Sequence, residues 1–213
     1  MKDCSILAHR GLFNCDSEKN TFTAIKRALD SGYGIETDIR DIDGRLVISH
    51  DPPLSKSSLP TLISILEIVK SVSSNPRIAL NVKSDGLLGL LLSNSLIYNY
   101  IDNIYLFDMS IPDSVQYHGS PFATYGRVSE YEPLTILPHV SGFWIDNFTG
   151  NFPQVSAASS LLADGFRVCL VSSELHKLNH MQLWSEIVSS GIHLHPHFEL
   201  CTDYPLEASK FFT

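Results

Sequence analysis

A short apolar run, a polar residue at its end, and then a helical pattern recur along this chain. That recurrence constrains the fold more than any other feature. The runs fall at residues 4–9, 35–39, 77–82, 104–107, 122–125, 142–145, 167–171 and 198–202. Strands that alternate with helices form a parallel sheet, and eight such units predict an α/β fold of the (β/α)8 barrel type. A barrel of this kind takes about 250 residues, with a lower range near 200. At 213 residues, 44% hydrophobic and 18% charged, the chain is expected to be one near-minimal barrel domain over residues 1–213. Active sites of such barrels lie at the C-terminal ends of the strands. The polar residues found there are His9, Glu36, Asp38, Lys83, Asp108, Arg127, Asp146, Glu174 and Asp203.

The helices are read from apolar spacing and end signals. Asn20 is the expected N-cap of a first helix with Phe22, Ile25 and Leu29 as its stripe and Gly32 as its stop. A second helix is expected over residues 61–72, and a leucine-rich one over 86–100. A short helix contains Pro112, and an irregular segment rich in Pro and Leu follows Arg127. Pro153 suits a first helical position. Met181, Trp184 and Val188 share a face of the next helix, and a terminal helix follows Pro205.

Residues 35–51 depart from the simple repeat. Glu36 and Asp38 are two apart, so an extended strand puts both carboxylates on one face. Asp43-Gly44 is a tight-turn signal that predicts a β-hairpin after strand two, with a return strand at residues 46–48. The return ends at His50-Asp51 and carries an imidazole back towards the carboxylates. Oxygen ligands for a hard cation beside a group that titrates near neutral pH make a metal-assisted acid–base site. Glu36 and Asp38 could hold Mg2+ or Ca2+, Arg10 and Lys83 could neutralise an anion, and His9 and His50 could act as acid and base. Arg127, Asp146 and Glu174 either touch substrate or form ion pairs around the rim.

Ala8-His9-Arg10-Gly11, then Glu18-Lys19-Asn20-Thr21, then Glu36-x-Asp38, then Asp43-Gly44 and His50-Asp51 form an ordered series. It resembles the N-terminal signature of the glycerophosphodiester phosphodiesterase family, whose barrels are of the phospholipase-C-like phosphodiesterase kind. Asn81-Val82-Lys83 stands where that family has Glu-x-Lys, and Thr202 to Pro205 where its last strand often ends. The resemblance implies a phosphoric diester hydrolase of lipid metabolism acting on a glycerol- or sugar-linked phosphodiester. It implies His9 and His50 as the catalytic pair; Arg10, Lys83 and Arg127 are the expected substrate contacts from their place at the strand ends. Mg2+ or Ca2+ would rest on Glu36, Asp38 and the third position, Asn81. Two departures stand out: Lys19 replaces the usual Glu before Asn-Thr, and Asn81 replaces the third acidic ligand.

A net charge of −8 argues against a nucleic-acid partner. The expected partner is a small-molecule phosphodiester, and the sequence carries no signal for an oligomeric state. Cys4, Cys15, Cys169 and Cys201 form no close ligand pair and read as reduced thiols of a cytoplasmic protein. No secretory signal or membrane-length apolar segment is found. His193, His195 and His197 alternate, as zinc ligands on a strand would, but Pro196 interrupts them and they precede the eighth strand, so a solvated loop is expected. Trp144 either lines the substrate site or fills a helix–strand interface. Two rivals keep the fold: a binding protein for sugar phosphates or phosphodiesters that has lost productive metal binding through Asn81, and a sugar-phosphate isomerase or lyase.

Overall fold

A computed structural model describes residues 4–53, 59–72 and 74–213. Nine strands lie in chain order: β1 (Ser5–His9), β2 (Gly34–Ile42), β3 (Arg45–Ile48), β4 (Ile78–Val82), β5 (Ile104–Phe107), β6 (Ala123–Val128), β7 (Val140–Ile145), β8 (Arg167–Val171) and β9 (Phe198–Thr202). All but β3 are parallel neighbours in a ring that the β1–β2 pairing closes. The expected (β/α)8 barrel is therefore present. β3 pairs antiparallel with β2 outside the ring and is the return arm of the expected hairpin.

The helices are α1 (Phe22–Asp30), α2 (Leu62–Ser71), α3 (Leu88–Leu92), α4 (Ser95–Tyr98), α5 (Ile111–Ser114), α6 (Gln154–Ala163), α7 (His180–Ser190) and α8 (Pro205–Phe211). Thr21, not Asn20, caps α1, accepting from the Ala24 N–H. Asn20 instead takes a left-handed φ of 61°. Ile25 and Leu29 of the expected α1 stripe are buried, but Phe22 is exposed at the first turn. The leucine-rich segment expected as one helix is two, because Asn94 leaves the helical region and restarts the chain as the N-cap of α4. Pro153 stands at the N-cap of α6 rather than inside it. In α7 the buried face is Leu183, Trp184 and Ile187, and Met181 and Val188 face outward. Residues 129–139, all of them described, connect β6 to β7 without a helix.

Alternation along each strand sends one set of side chains outward to the helices and the other into the barrel. The outward set builds two apolar clusters, centred on Ile35, Ile39 and Leu80 and on Phe143, Leu170 and Leu200. The inward set fills the barrel. Tyr105 stacks on Tyr125 at 3.8 Å and Phe107 on Trp144 at 4.0 Å. Trp144 thus belongs to the barrel interior, not to a helix–strand interface. Towards the N-terminal end, buried Glu199 pairs with Arg77 at 2.8 Å and with Arg167 at 3.5 Å. The barrel is a packed core, and its C-terminal mouth is where β1, β2 and β4 end in polar side chains.

Gly11 holds the turn after β1 against α1. Its φ is +94°, and a Cβ there would lie 2.6 Å from the Ala24 carbonyl carbon and 2.7 Å from the Ile25 nitrogen. Both are backbone atoms of a helix and cannot swing aside. Gly11→Ala should lower stability by about 1–3 kcal/mol, the cost of a strained backbone position. An unchanged denaturant midpoint would contradict this account of the turn.

Candidate active site

The mouth is built on β2. Glu36 and Asp38 share its inward face, and both are buried. Across the β2–β4 register Asp38 sits beside Asn81, which is also buried, and Lys83 follows two residues on along the same face. Glu36 Oε2, Asp38 Oδ1 and Asn81 Oδ1 are buried and have no hydrogen-bond partner among the described residues. Buried oxygens are nearly always satisfied in folded proteins. Three unsatisfied acceptors on neighbouring strands, two of them carboxylate, suit a hard divalent cation that takes oxygen ligands. Among the described residues no group of three His, Cys, Asp or Glu side chains converges as a metal site. The oxygen set here reaches three only through the amide of Asn81.

Opposite charge surrounds the pair. Arg10 Nε lies 3.0 Å from Asp38 Oδ2, and Lys83 Nζ lies 3.5 Å from Asp38 Oδ1. Asn20 donates to Asp38 Oδ2 at 2.7 Å and accepts from the Thr37 hydroxyl at 2.8 Å. Its left-handed backbone aims the amide at the site instead of at α1. Burial, with Asp38 adding repulsion, pushes the Glu36 carboxyl up to about 7; His9, Arg10 and Lys83 act against that rise.

His9 ends β1 with Nδ1 2.6 Å from Asp203 Oδ1 and Nε2 3.9 Å from Glu36 Oε2. Lys19 reaches Asp203 Oδ2 at 3.3 Å. Burial works to raise the Asp203 pKa, but the His9 hydrogen bond and the His9 and Lys19 charges outweigh it and hold the carboxyl below its ordinary value. The lysine that replaces the expected Glu therefore has a definite partner. Glu174 accepts from the Thr202 hydroxyl at 2.5 Å and the Asp203 N–H at 3.0 Å, and so fixes the loop that carries Asp203.

On the other side of Lys83 the mouth continues as ion pairs. Lys83 Nζ lies 3.3 Å from Asp108 Oδ2, and Arg127 binds Asp108 Oδ1 and lies 2.9 Å from Glu132. Burial would raise the Asp108 pKa, but Arg127 and then Lys83 bring it below its ordinary value. Asp146 accepts from His176 Nε2 at 2.5 Å.

His50 stands apart from this inner group. Its side chain is 48% exposed, with Nδ1 2.8 Å from Asp51 Oδ1. It lines an open cleft of about 730 Å³ together with Arg10, Lys19 and Asn20. The hairpin thus brings His50 to the same cleft as Arg10 but not into contact with the carboxylates. His193, His195 and His197 precede β9 at the opposite end of the barrel, as expected for a loop outside the site.

The fold is a closed parallel (β/α)8 barrel with a charged C-terminal mouth. The sequence matches no family model and no curated protein sequence. Solved structures do match. A glycerophosphodiester phosphodiesterase from Parabacteroides distasonis is similar with a TM-score of 0.69 at 16% identity, covering 100% of this chain and 98% of that one. A phosphodiesterase from Oleispira antarctica, solved with the product sn-glycerol-3-phosphate, is similar with a TM-score of 0.65 at 16% identity, covering 98% and 96%. A Ca2+-dependent phosphatidylinositol-specific phospholipase C from Streptomyces antibioticus is similar with a TM-score of 0.58 at 12% identity, covering 99% and 96%. At these identities the likeness is one of fold, and it extends over the whole chain.

A cation on Glu36 needs the carboxylate form. Its binding should therefore release close to one proton at about pH 6 and little above about pH 8, and apparent affinity should rise between them. Calorimetric titration with Mg2+ or Ca2+ in buffers of different ionisation enthalpy reads both quantities. Affinity that is flat across this range would remove Glu36 from the ligand set. Asn81→Glu adds a third charge and should tighten cation binding to the free protein; unchanged affinity would place Asn81 outside the site.

Proposed function

We propose that this chain is a divalent-cation-dependent phosphodiesterase that hydrolyses a glycerol- or sugar-linked phosphodiester. The observation that carries the reading is the trio of unsatisfied oxygens on Glu36, Asp38 and Asn81, set between the cations Arg10 and Lys83 and beside a His–Asp pair. The whole-chain likeness to phosphodiesterases, one of them holding sn-glycerol-3-phosphate, supports it. Mg2+ or Ca2+ bound there would supply positive charge to the phosphoryl oxygens. Arg10 and Lys83 lie where they can share the phosphate's charge, the first as a fork and the second as a point charge. Arg127, tied to Asp108 and Glu132, extends the cationic side towards the substrate's alcohol.

His9 is the acid–base group closest to the oxygen trio. The Asp203 carboxylate on Nδ1 orients the ring, leaving Nε2 towards Glu36. His50, across the open cleft, is the second acid–base group. Its exposure suits a partner that completes the site when substrate fills the cleft. Among the described residues no helix is long and apolar enough to span a membrane. Four free cysteines suit a reducing, cytoplasmic setting.

The neutral Asn81 keeps a second reading in view, a binding protein that holds a phosphodiester without cleaving it. Turnover separates the two. Purified protein should hydrolyse glycerophosphocholine with Mg2+ or Ca2+ and stop in EDTA. His9→Ala and His50→Ala should each lose about a hundred- to ten-thousand-fold in rate, with the double variant losing less than the product. His195→Ala, at the far end of the barrel, should leave the rate intact. Near wild-type activity in either single variant would remove that histidine from the mechanism. Binding without turnover would favour the binding-protein reading.

A further inference from the structure

An apolar groove descends from the rim of the mouth along the outer face of β6, where the chain supplies no helix. Its volume is about 560 Å³, within the ordinary range for a small-molecule site. Asp108 and Arg127 form its upper end, and Met109, Ile111, Pro133, Leu137 and Val140 line its length. The polar groups in its walls are already engaged. The Thr124 hydroxyl donates to the His139 carbonyl, the Ser114 hydroxyl to the Ile111 carbonyl and the Thr135 hydroxyl to the Pro133 carbonyl. His139 Nε2 lies 3.4 Å from the Ser114 oxygen. Between these polar groups the larger part of the lining is hydrocarbon. Ile111 and Tyr131, both of which line the groove, stand exposed.

We infer that this groove takes the single alkyl or acyl chain of a phosphodiester whose phosphate sits at the mouth. The inference rests on the proposed phosphodiesterase reading and names the class of alcohol on one side of the phosphate. The groove and the mouth share Asp108 and Arg127, and Lys83 joins Asp108 to the oxygen trio. A ligand with a charged head and one apolar tail meets cations at one end and methylenes along the other. The outer wall is tied to the mouth as well: Ser129 and Glu132 exchange backbone hydrogen bonds, and the Glu132 carboxylate pairs with Arg127.

Calorimetry with butyl-, octyl- and dodecylphosphocholine, each below its micelle concentration and in EDTA, measures the groove without turnover. Affinity should rise by about three- to fourfold per methylene from butyl to octyl and then level off as the groove fills. Ile111→Glu and Thr135→Trp, both at exposed positions, should each weaken dodecylphosphocholine by about tenfold or more, the worth of two or three methylenes. Neither should change hydrolysis of glycerophosphocholine, which has no chain. Affinity independent of chain length overturns the inference. So does binding to phosphatidylcholine vesicles without binding to monomeric chains, and so does a self-associating protein that Ile111→Glu renders monomeric while chain binding is absent. If glycerophosphocholine is not hydrolysed with any divalent cation, the enzyme reading fails, and the chain-length series still decides the groove.

Discussion

Two carboxylates on alternate positions of one buried strand cannot both stay ionised unless positive charge or a proton is close by. Glu36 and Asp38 impose that condition, and the mouth is arranged around it. Asp38 is met on one side by Arg10, whose left-handed backbone turns the chain immediately after β1, and on the other by Lys83. Asn20 adds a neutral donor. Glu36, farther from these cations, is left with the raised pKa. The same logic then runs outward in alternating sign. Asp108 stands between Lys83 and Arg127, and Asp203 stands between His9 and Lys19. No charge in this inner group lacks an opposite one, yet three oxygen atoms are left unsatisfied at its centre.

The parallel barrel supplies the geometry that makes this possible. Parallel register aligns the ends of β2 and β4, so that Asp38 meets Asn81 directly. The stacked aromatics, Phe107 on Trp144 and Tyr105 on Tyr125, fill the barrel interior. Burial is the largest cause of the raised Glu36 pKa.

Much of this was legible because strand alternation is strict. Period-two spacing placed Glu36 with Asp38, and strand ends located His9, Lys83, Asp108 and Arg127 at the mouth. Helix faces were less legible. A helix periodicity through Trp184 admits more than one stripe, and packing selected Leu183 and Ile187 over Met181 and Val188. Asn20 is an ordinary N-cap residue by type, and only its backbone angle shows that Thr21 does the capping and Asn20 serves the site. The His176–Asp146 contact was hidden for another reason: its partners lie thirty positions apart and meet only through the β7–β8 pairing. Lys19 was legible as a departure, but its purpose became visible only when the ring closure brought Asp203 beside it.

Asn81 shows why a departure from an acidic pattern need not be a loss. Around the oxygen trio the charges of Glu36 and Asp38 are matched by Arg10 and Lys83. Asp108 shares Lys83 with Asp38, and the raised Glu36 pKa of about 7 lets that carboxyl hold a proton part of the time near neutral pH. A phosphodiester carries one negative charge. A third carboxylate at position 81 would add repulsion against it and, with Asp38 directly opposite across the register, would push the Glu36 pKa higher still. The amide keeps an oxygen at the same place without that charge. On the proposed reading, the neutral residue spares the site some repulsion against an anion, and the two strand-β2 carboxylates would draw a cation to it.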